Sequence, residues 1–133
     1  MGRNGLSTPL IFREDSLFFL RRFLEKEEIE NLKRFKWIAY TDRKDFVSVF
    51  LTLDEKLWES HWWGRGSAFK SLTACKESIK MFFEDTGADC VFGITPCKNI
   101  KALKMARILG YQPLEIRWAD GGIPYLISRK EKQ

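Results

Sequence analysis

The sequence predicts a mixed α/β (α+β) fold, one sheet of about six or seven strands flanked by helices, and three observations carry that expectation. Phe69, Leu72, Cys75, Ile79, Phe82 and Phe83 recur every three or four positions after Ser67 and stop at Gly87, the pattern of an amphipathic helix with a glycine just beyond its end. Residues 88–95 follow as a nearly unbroken apolar run around Cys90, Val91, Phe92 and Ile94, as a strand covered on both faces requires. Residues 46–53, and later 114–127, instead alternate with a period of two, the mark of half-buried strands.

The remaining elements fall into place around these. Residues 9–12 read as a short edge strand, and Asp15 and Ser16 then offer N-cap oxygens. Leu17, Leu20, Leu24, Ile29 and Leu32 keep helical spacing through a charged segment to Phe35, as one helix or two short ones. Residues 37–40 form a strand, 41–45 a turn, and in 46–53 Val47, Val49, Leu51 and Leu53 alternate with Phe46, Ser48, Phe50 and Thr52. Residues 54–56 turn the chain into a strand over 57–62. Pro96 ends the apolar strand, and residues 99–109 form a second helix with Ile100, Leu103, Ala106 and Leu109 inward and Gly110 closing it. Leu114, Ile116 and Trp118 alternate up to the turn at Asp120, Gly121 and Gly122, and Ile123, Tyr125 and Ile127 alternate back as a hairpin.

Length and composition bound the function classes. At 133 residues, 44% hydrophobic and 31% charged, the chain is expected to form a single domain over 1–133, with loose ends at 1–8 and 130–133. Its net charge of +5 favours anionic partners, but the basic residues are scattered, so solvated faces are expected rather than a nucleic-acid stripe. Cys75, Cys90 and Cys97 form no CxxC pair, and His61 is the single histidine, which argues against a disulfide framework or a metal site. Neither a signal-peptide core nor a membrane span is expected, and Leu6 stands where a myristoylation motif needs Ser or Thr. A cytoplasmic location follows from these expectations.

The stretch "HWWGRGSAFKSL" at 61–72 carries most of the chemistry. Glycines let backbone approach a ligand closely, and a helix beginning just after them aims unpaired N–H groups at it, so the stretch looks like an anion cradle. A P-loop needs Gly-Lys-Ser/Thr, whereas Gly66 is followed by Ser67 and Ala68. A dinucleotide fingerprint needs a third glycine where this chain has Phe69.

The stretch resembles the pyrophosphate loop of the GNAT superfamily of acyl-CoA N-acyltransferases, whose pattern is Gln/Arg-x-x-Gly-x-Gly/Ala. Trp63, Gly66 and Ala68 take the first, fourth and sixth places, and "WWGRGSA" is most similar to the ribosomal-protein-acetyltransferase subgroup. Downstream, Asn99, Ala102, Gly110 and Tyr111 resemble the superfamily's Asn-x-x-Ala/Ser helix ending in Gly-Phe/Tyr. The resemblance is good over 53–115 and poor before Trp37. It implies a mostly antiparallel sheet in which the fourth and fifth strands splay apart, and acetyl-CoA as cofactor. It further implies phosphate binding by the backbones of Arg65, Gly66, Ser67, Ala68 and Phe69, with Gly64 allowing a tight turn. The pantetheine arm would pair with the end of the fourth strand at Trp58, Glu59 and Ser60, and Asn99 would bind the arm or simply cap its helix.

The reaction implied is attack of an amine, on a small molecule or a protein, upon the thioester. It needs a base, a donor for the thioester oxygen and a proton for the departing thiolate. The family's acid positions hold Ala102 and Ala106. Glu59 is the best substitute base, with a surface carboxylate as the alternative; His61 is either a proton carrier or packing for the tryptophans; Tyr111 is either a thiol acid or a core hydroxyl. Two functions therefore stay open: an acetyl-CoA-dependent N-acetyltransferase, or a catalytically silent module of the same shape that binds cofactor or serves assembly, as in short phage-encoded proteins it resembles. Strands near the hairpin are expected to allow a homodimer.

Overall fold

The computed structural model describes residues 10–132, and the expectation for residues 1–8 lies outside them. In chain order the elements are β1 (Phe12–Glu14), α1 (Leu17–Leu20), α2 (Lys26–Leu32), β2 (Lys36–Thr41), β3 (Phe46–Thr52), β4 (Trp58–Gly64), α3 (Ala68–Thr86), β5 (Cys90–Pro96), α4 (Ile100–Ile108), β6 (Gln112–Ala119) and β7 (Ile123–Glu131). The strands form one seven-stranded sheet in the order β1-β2-β3-β4-β5-β7-β6. Every neighbouring pair is antiparallel except β4 and β5.

The parallel pair makes the feature on which the site depends. Only Glu59 with Phe92 and Ser60 with Gly93 are in register across β4 and β5. Past that point β4 continues to Gly64 against β3, and β5 continues to Pro96 against β7, so the two strands splay and each loses its inner partner.

Alternation along each strand divides the side chains between two cores. Ile38, Tyr40, Phe46, Phe50, Trp58 and Val91 join Ile79, Phe82 and Phe83 of α3. Phe82 lies stacked on Phe50 with ring centroids 4.2 Å apart, and Trp58 meets its edge at 5.3 Å. On the opposite face Ala39, Val47 and Val49 pack against Leu20, Leu24, Ile29 and Leu32. The N-terminal helical segment is thus two short helices: Ser16 caps α1, and a reciprocal Glu25–Glu28 capping box starts α2. Asp42 receives the amides of Lys44, Asp45 and Phe46 and so closes the β2–β3 turn.

Four expectations need correction. Among the described residues the first strand lies at 12–14 and leaves out Leu10 and Ile11, because it is placed by pairing Phe12 with Thr41 and Glu14 with Ala39, and Pro9 of the expected strand lies outside the described residues. β5 is covered on one face only: Val91 and Gly93 are buried while Ile94 is 37% exposed, since α1 and α2 pack only on the β2–β4 half of the sheet. The alternating apolar side chains of β6 are not a buried face, for all eight of its residues are exposed. Residues 130–132 are held in place, as Lys130 and Glu131 pair with Val91 and Cys90 and the Lys132 amide donates to the Asp89 carbonyl.

Candidate functional site

The splay opens a cleft of about 510 Å³ lined from both sides of the sheet. One wall is built by the start of α3 and by α4 and contributes Gly66, Ala68, Ser71, Asn99, Lys101, Ala102, Ala106 and Tyr111. The other is built by the alternate face of β4 and by α2 and contributes His61, Trp63 and Glu28. Ser60 and Gly93 line the cleft at the point where the strands part.

The first wall is a set of backbone donors. Ser67 caps α3, its hydroxyl receiving the Lys70 amide at 3.2 Å and its carbonyl the Ser71 amide at 3.0 Å. Among the described residues, the amides of Gly66, Ser67, Ala68 and Phe69 have no acceptor. These groups stand at the positive end of a helix of 19 residues, a placement that attracts phosphate or carboxylate oxygens. The Arg65 amide does not join them, because it donates to the Asp45 carbonyl at 2.8 Å. Its guanidinium lies over the Phe23 ring, 4.5 Å from the centroid, and so packs on the helical layer.

The two glycines serve different ends. Gly64 belongs to β4, opposite Phe46, and is not a turn; a Cβ there would overlap the Ser71 hydroxyl, so the missing side chain lets the first turn of α3 close onto the strand. A Cβ on Gly66 would meet only Asp45 and Lys70 atoms at 3.8 Å, ordinary contact, and its backbone is not left-handed. The fold itself therefore makes no demand for glycine at 66, whereas a ligand approaching the amides does.

Asn99 caps α4, its Oδ1 accepting the Ala102 amide at 3.1 Å, and its carboxamide nitrogen is left to other partners. Ala102 and Ala106 on the next turns give the cleft methyl groups and no proton donor. Tyr111 comes in from the end of this wall. Its hydroxyl lies 2.7 Å from Ser60 Oγ, which also reaches the Phe92 carbonyl at 3.2 Å. The run from Tyr111 through Ser60 to Phe92 pins both hydroxyls at the branching point of the strands, and burial raises the phenol well above its ordinary range.

The second wall holds the titratable pair. Glu59 and His61 are two residues apart on β4, point to the α1–α2 face, and are joined through Glu59 Oε2 and His61 Nε2. Both side chains are about one-third exposed, at 32% and 33%, so they remain in contact with water. Trp63 stacks on the imidazole with ring centroids 6.2 Å apart and packs on the α1–α2 core, fixing the ring plane. A carboxylate bound to one ring nitrogen fixes the ring and leaves the other nitrogen to a further partner, the arrangement of a positioned general base.

The structure thus collects Ser60, His61, Trp63, Gly64, Gly66, Ala68, Asn99, Ala102 and Tyr111 around one cleft. Glu59 reaches it only through His61, and Trp58 turns into the core, 5% exposed. The free inner edge of β4 begins at His61 and not at Trp58–Ser60, because Glu59 and Ser60 are paired with β5. Ser67 acts as a cap, and the Phe69 side chain is exposed. Glu28 and Lys101 were missed: each looks in the sequence like an ordinary solvent-facing helix charge, and only the packing of α2 and α4 beside the splay brings them to the cleft.

No family model matches the sequence, and no curated protein matches it. Solved structures do match. The chain superimposes on a structure assigned to a phosphinothricin N-acetyltransferase with a TM-score of 0.71 at 12% identity, covering 93% of this chain and 99% of that one. A Bacillus subtilis acetyltransferase in complex with CoA gives 0.66 at 16% identity, covering 92% and 98%. The ribosomal-protein-S18-alanine N-acetyltransferase of Escherichia coli gives 0.66 at 10% identity, covering 92% and 94%. The mixed seven-stranded sheet with its parallel β4–β5 splay is the fold of these GNAT-family acetyltransferases.

Proposed function

We propose that this chain, which carries the GNAT fold, is an acetyl-CoA-dependent N-acetyltransferase acting on an amine of a small molecule or a protein. The observation that carries the reading is that one cleft is lined by Gly66 and Ala68, at the start of α3 where the amides are unpaired, and by His61, which Glu59 holds on β4. The residues present fit the cofactor: Gly66, Ser67, Ala68 and Phe69 would hold its phosphates, and the free edge of β4 from His61 to Gly64 would receive a strand-like arm. Acetyl-CoA bound there supplies an acyl group activated as a thioester.

The protein's own part is positioning and proton handling. His61, held by Glu59, takes a proton from the attacking ammonium or amine on the α2 side of the sheet, and Glu28 adds negative charge where a cationic acceptor enters. Backbone N–H groups on the unpaired part of β4 are available to a developing oxyanion. Ala102 and Ala106 leave the thiolate without a side-chain acid on α4, so solvent in the open cleft is its proton source.

That same pair of alanines favours a second reading, a silent module that binds the cofactor without turnover. One experiment separates the two. The purified protein is titrated calorimetrically with acetyl-CoA and with CoA, and thiol release is then followed with polyamine, amino-acid and peptide acceptors. Binding with amine-dependent thiol release is expected. Binding without release across the panel supports the silent cofactor-binding module, and absence of binding overturns both cofactor-dependent readings in favour of the assembly module.

A further inference from the structure

The outer edge of β6 is the one long strand edge in the described sheet that the fold leaves bare on every side. All eight residues are exposed, with Leu114, Ile116 and Trp118 at 55%, 56% and 69%. Among the described residues its only strand partner is β7, so a row of backbone N–H and C=O groups faces outward beside apolar side chains. Such an edge invites another strand.

The sequence of β6 states which strand. From Glu115 onward the register with β7 is regular, after an irregularity between Pro113 and Glu115. Ile116 and Trp118 lie across from Leu126 and Pro124 on one face, while Glu115 and Arg117 lie across from Ile127 and Tyr125 on the other. Glu115 and Arg117 already touch within the strand, Oε1 to Nη2 at 3.0 Å. In an antiparallel pairing of β6 with a second β6 about a two-fold axis, residues of like face stand opposite one another. An axis at Ile116 sets each Glu115 against the second copy's Arg117 and each Trp118 against the second copy's Leu114. An axis at Glu115 opposes two carboxylates, and one at Arg117 opposes two guanidiniums, so charge selects the Ile116 register.

We propose that β6 pairs antiparallel with β6 of a second copy of this chain about a two-fold axis at Ile116, joining two sheets into one. The pairing is independent of the acyltransferase reading, since no residue of the cleft takes part.

The test is sedimentation velocity over a concentration series on the full chain, with far-UV circular dichroism to verify folding. The wild type is expected to move from one chain mass to two. Ile116→Lys, which opposes two ammonium groups at the axis, is expected to weaken association by at least about tenfold. Glu115→Arg alone opposes arginines and weakens it too, and adding Arg117→Glu restores it to within about threefold of wild type. All these side chains are exposed, so the monomer fold should persist, and the exchanged pair tests the register even if one single variant misfolds. A wild type that stays monomeric throughout, a dimer indifferent to Ile116→Lys, or an exchange that does not restore association would each overturn the proposal.

Discussion

The two walls of the cleft are made of different materials. The α3–α4 wall works with backbone: unpaired amides, a helix dipole, a capping serine and alanine methyl groups. The β4–α2 wall works with side chains: Glu59, His61 and Trp63 held two residues apart by strand alternation, with Glu28 facing them. The difference shows how one small fold can offer main-chain donors on one side of a cleft and titratable side chains on the other. A charge can be held by main-chain donors without any titrating group, whereas proton transfer requires side chains whose geometry is fixed by neighbours. Placing the two sets on opposite faces of one sheet, with the splay between them, lets each be altered without the other.

The sharpest break is expected from Gly66→Glu. The carboxylate would occupy the amide donors and repel phosphate, so calorimetry should show CoA affinity reduced by at least about a hundredfold. Thermal stability should stay within about 0.5 kcal/mol, because only ordinary contacts surround that Cβ. Next comes Glu59→Gln, which leaves the ring of His61 without its carboxylate. Acetyl transfer should fall by about a hundredfold while CoA affinity is unchanged; an equal loss of both would show that the pair is structural.

Gly64→Ala tests the seam that joins the walls. Its methyl group would overlap the Ser71 hydroxyl, so denaturant unfolding should show a loss of about 1–3 kcal/mol, and the double variant with Ser71→Ala should recover part of it. The smallest effect is expected from Ala102→Ser, which returns a hydroxyl to the α4 wall. If thiolate protonation limits turnover, the rate should rise by up to about tenfold with CoA binding unaltered, and no change would place the limiting step elsewhere.

Much of this was legible in the residues. The period of α3, its stop at Gly87 with φ of 69°, and the double-glycine turn at Gly121 and Gly122 are local matters, decided by side-chain spacing and by backbone conformations that glycine adopts freely. The anion cradle is local too, because the amides belong to consecutive residues at one helix start. The meaning of Gly64 was not legible, since it depends on Ser71, which lies seven residues later on the next element and is brought against the strand only by the packing of α3.

The sequence by itself determined the order of elements, the amphipathic faces and the identity of the residues gathered at 58–69. Tertiary structure alone decided that β4 and β5 part after Ser60 and Gly93, that Arg65 turns away to Phe23, that Tyr111 reaches back to Ser60, and that β6 remains bare. The physical reason is the same in each case. Periodicity records which face of an element is apolar, but whether that face is covered, and by what, depends on how many other elements the chain has left to place against it.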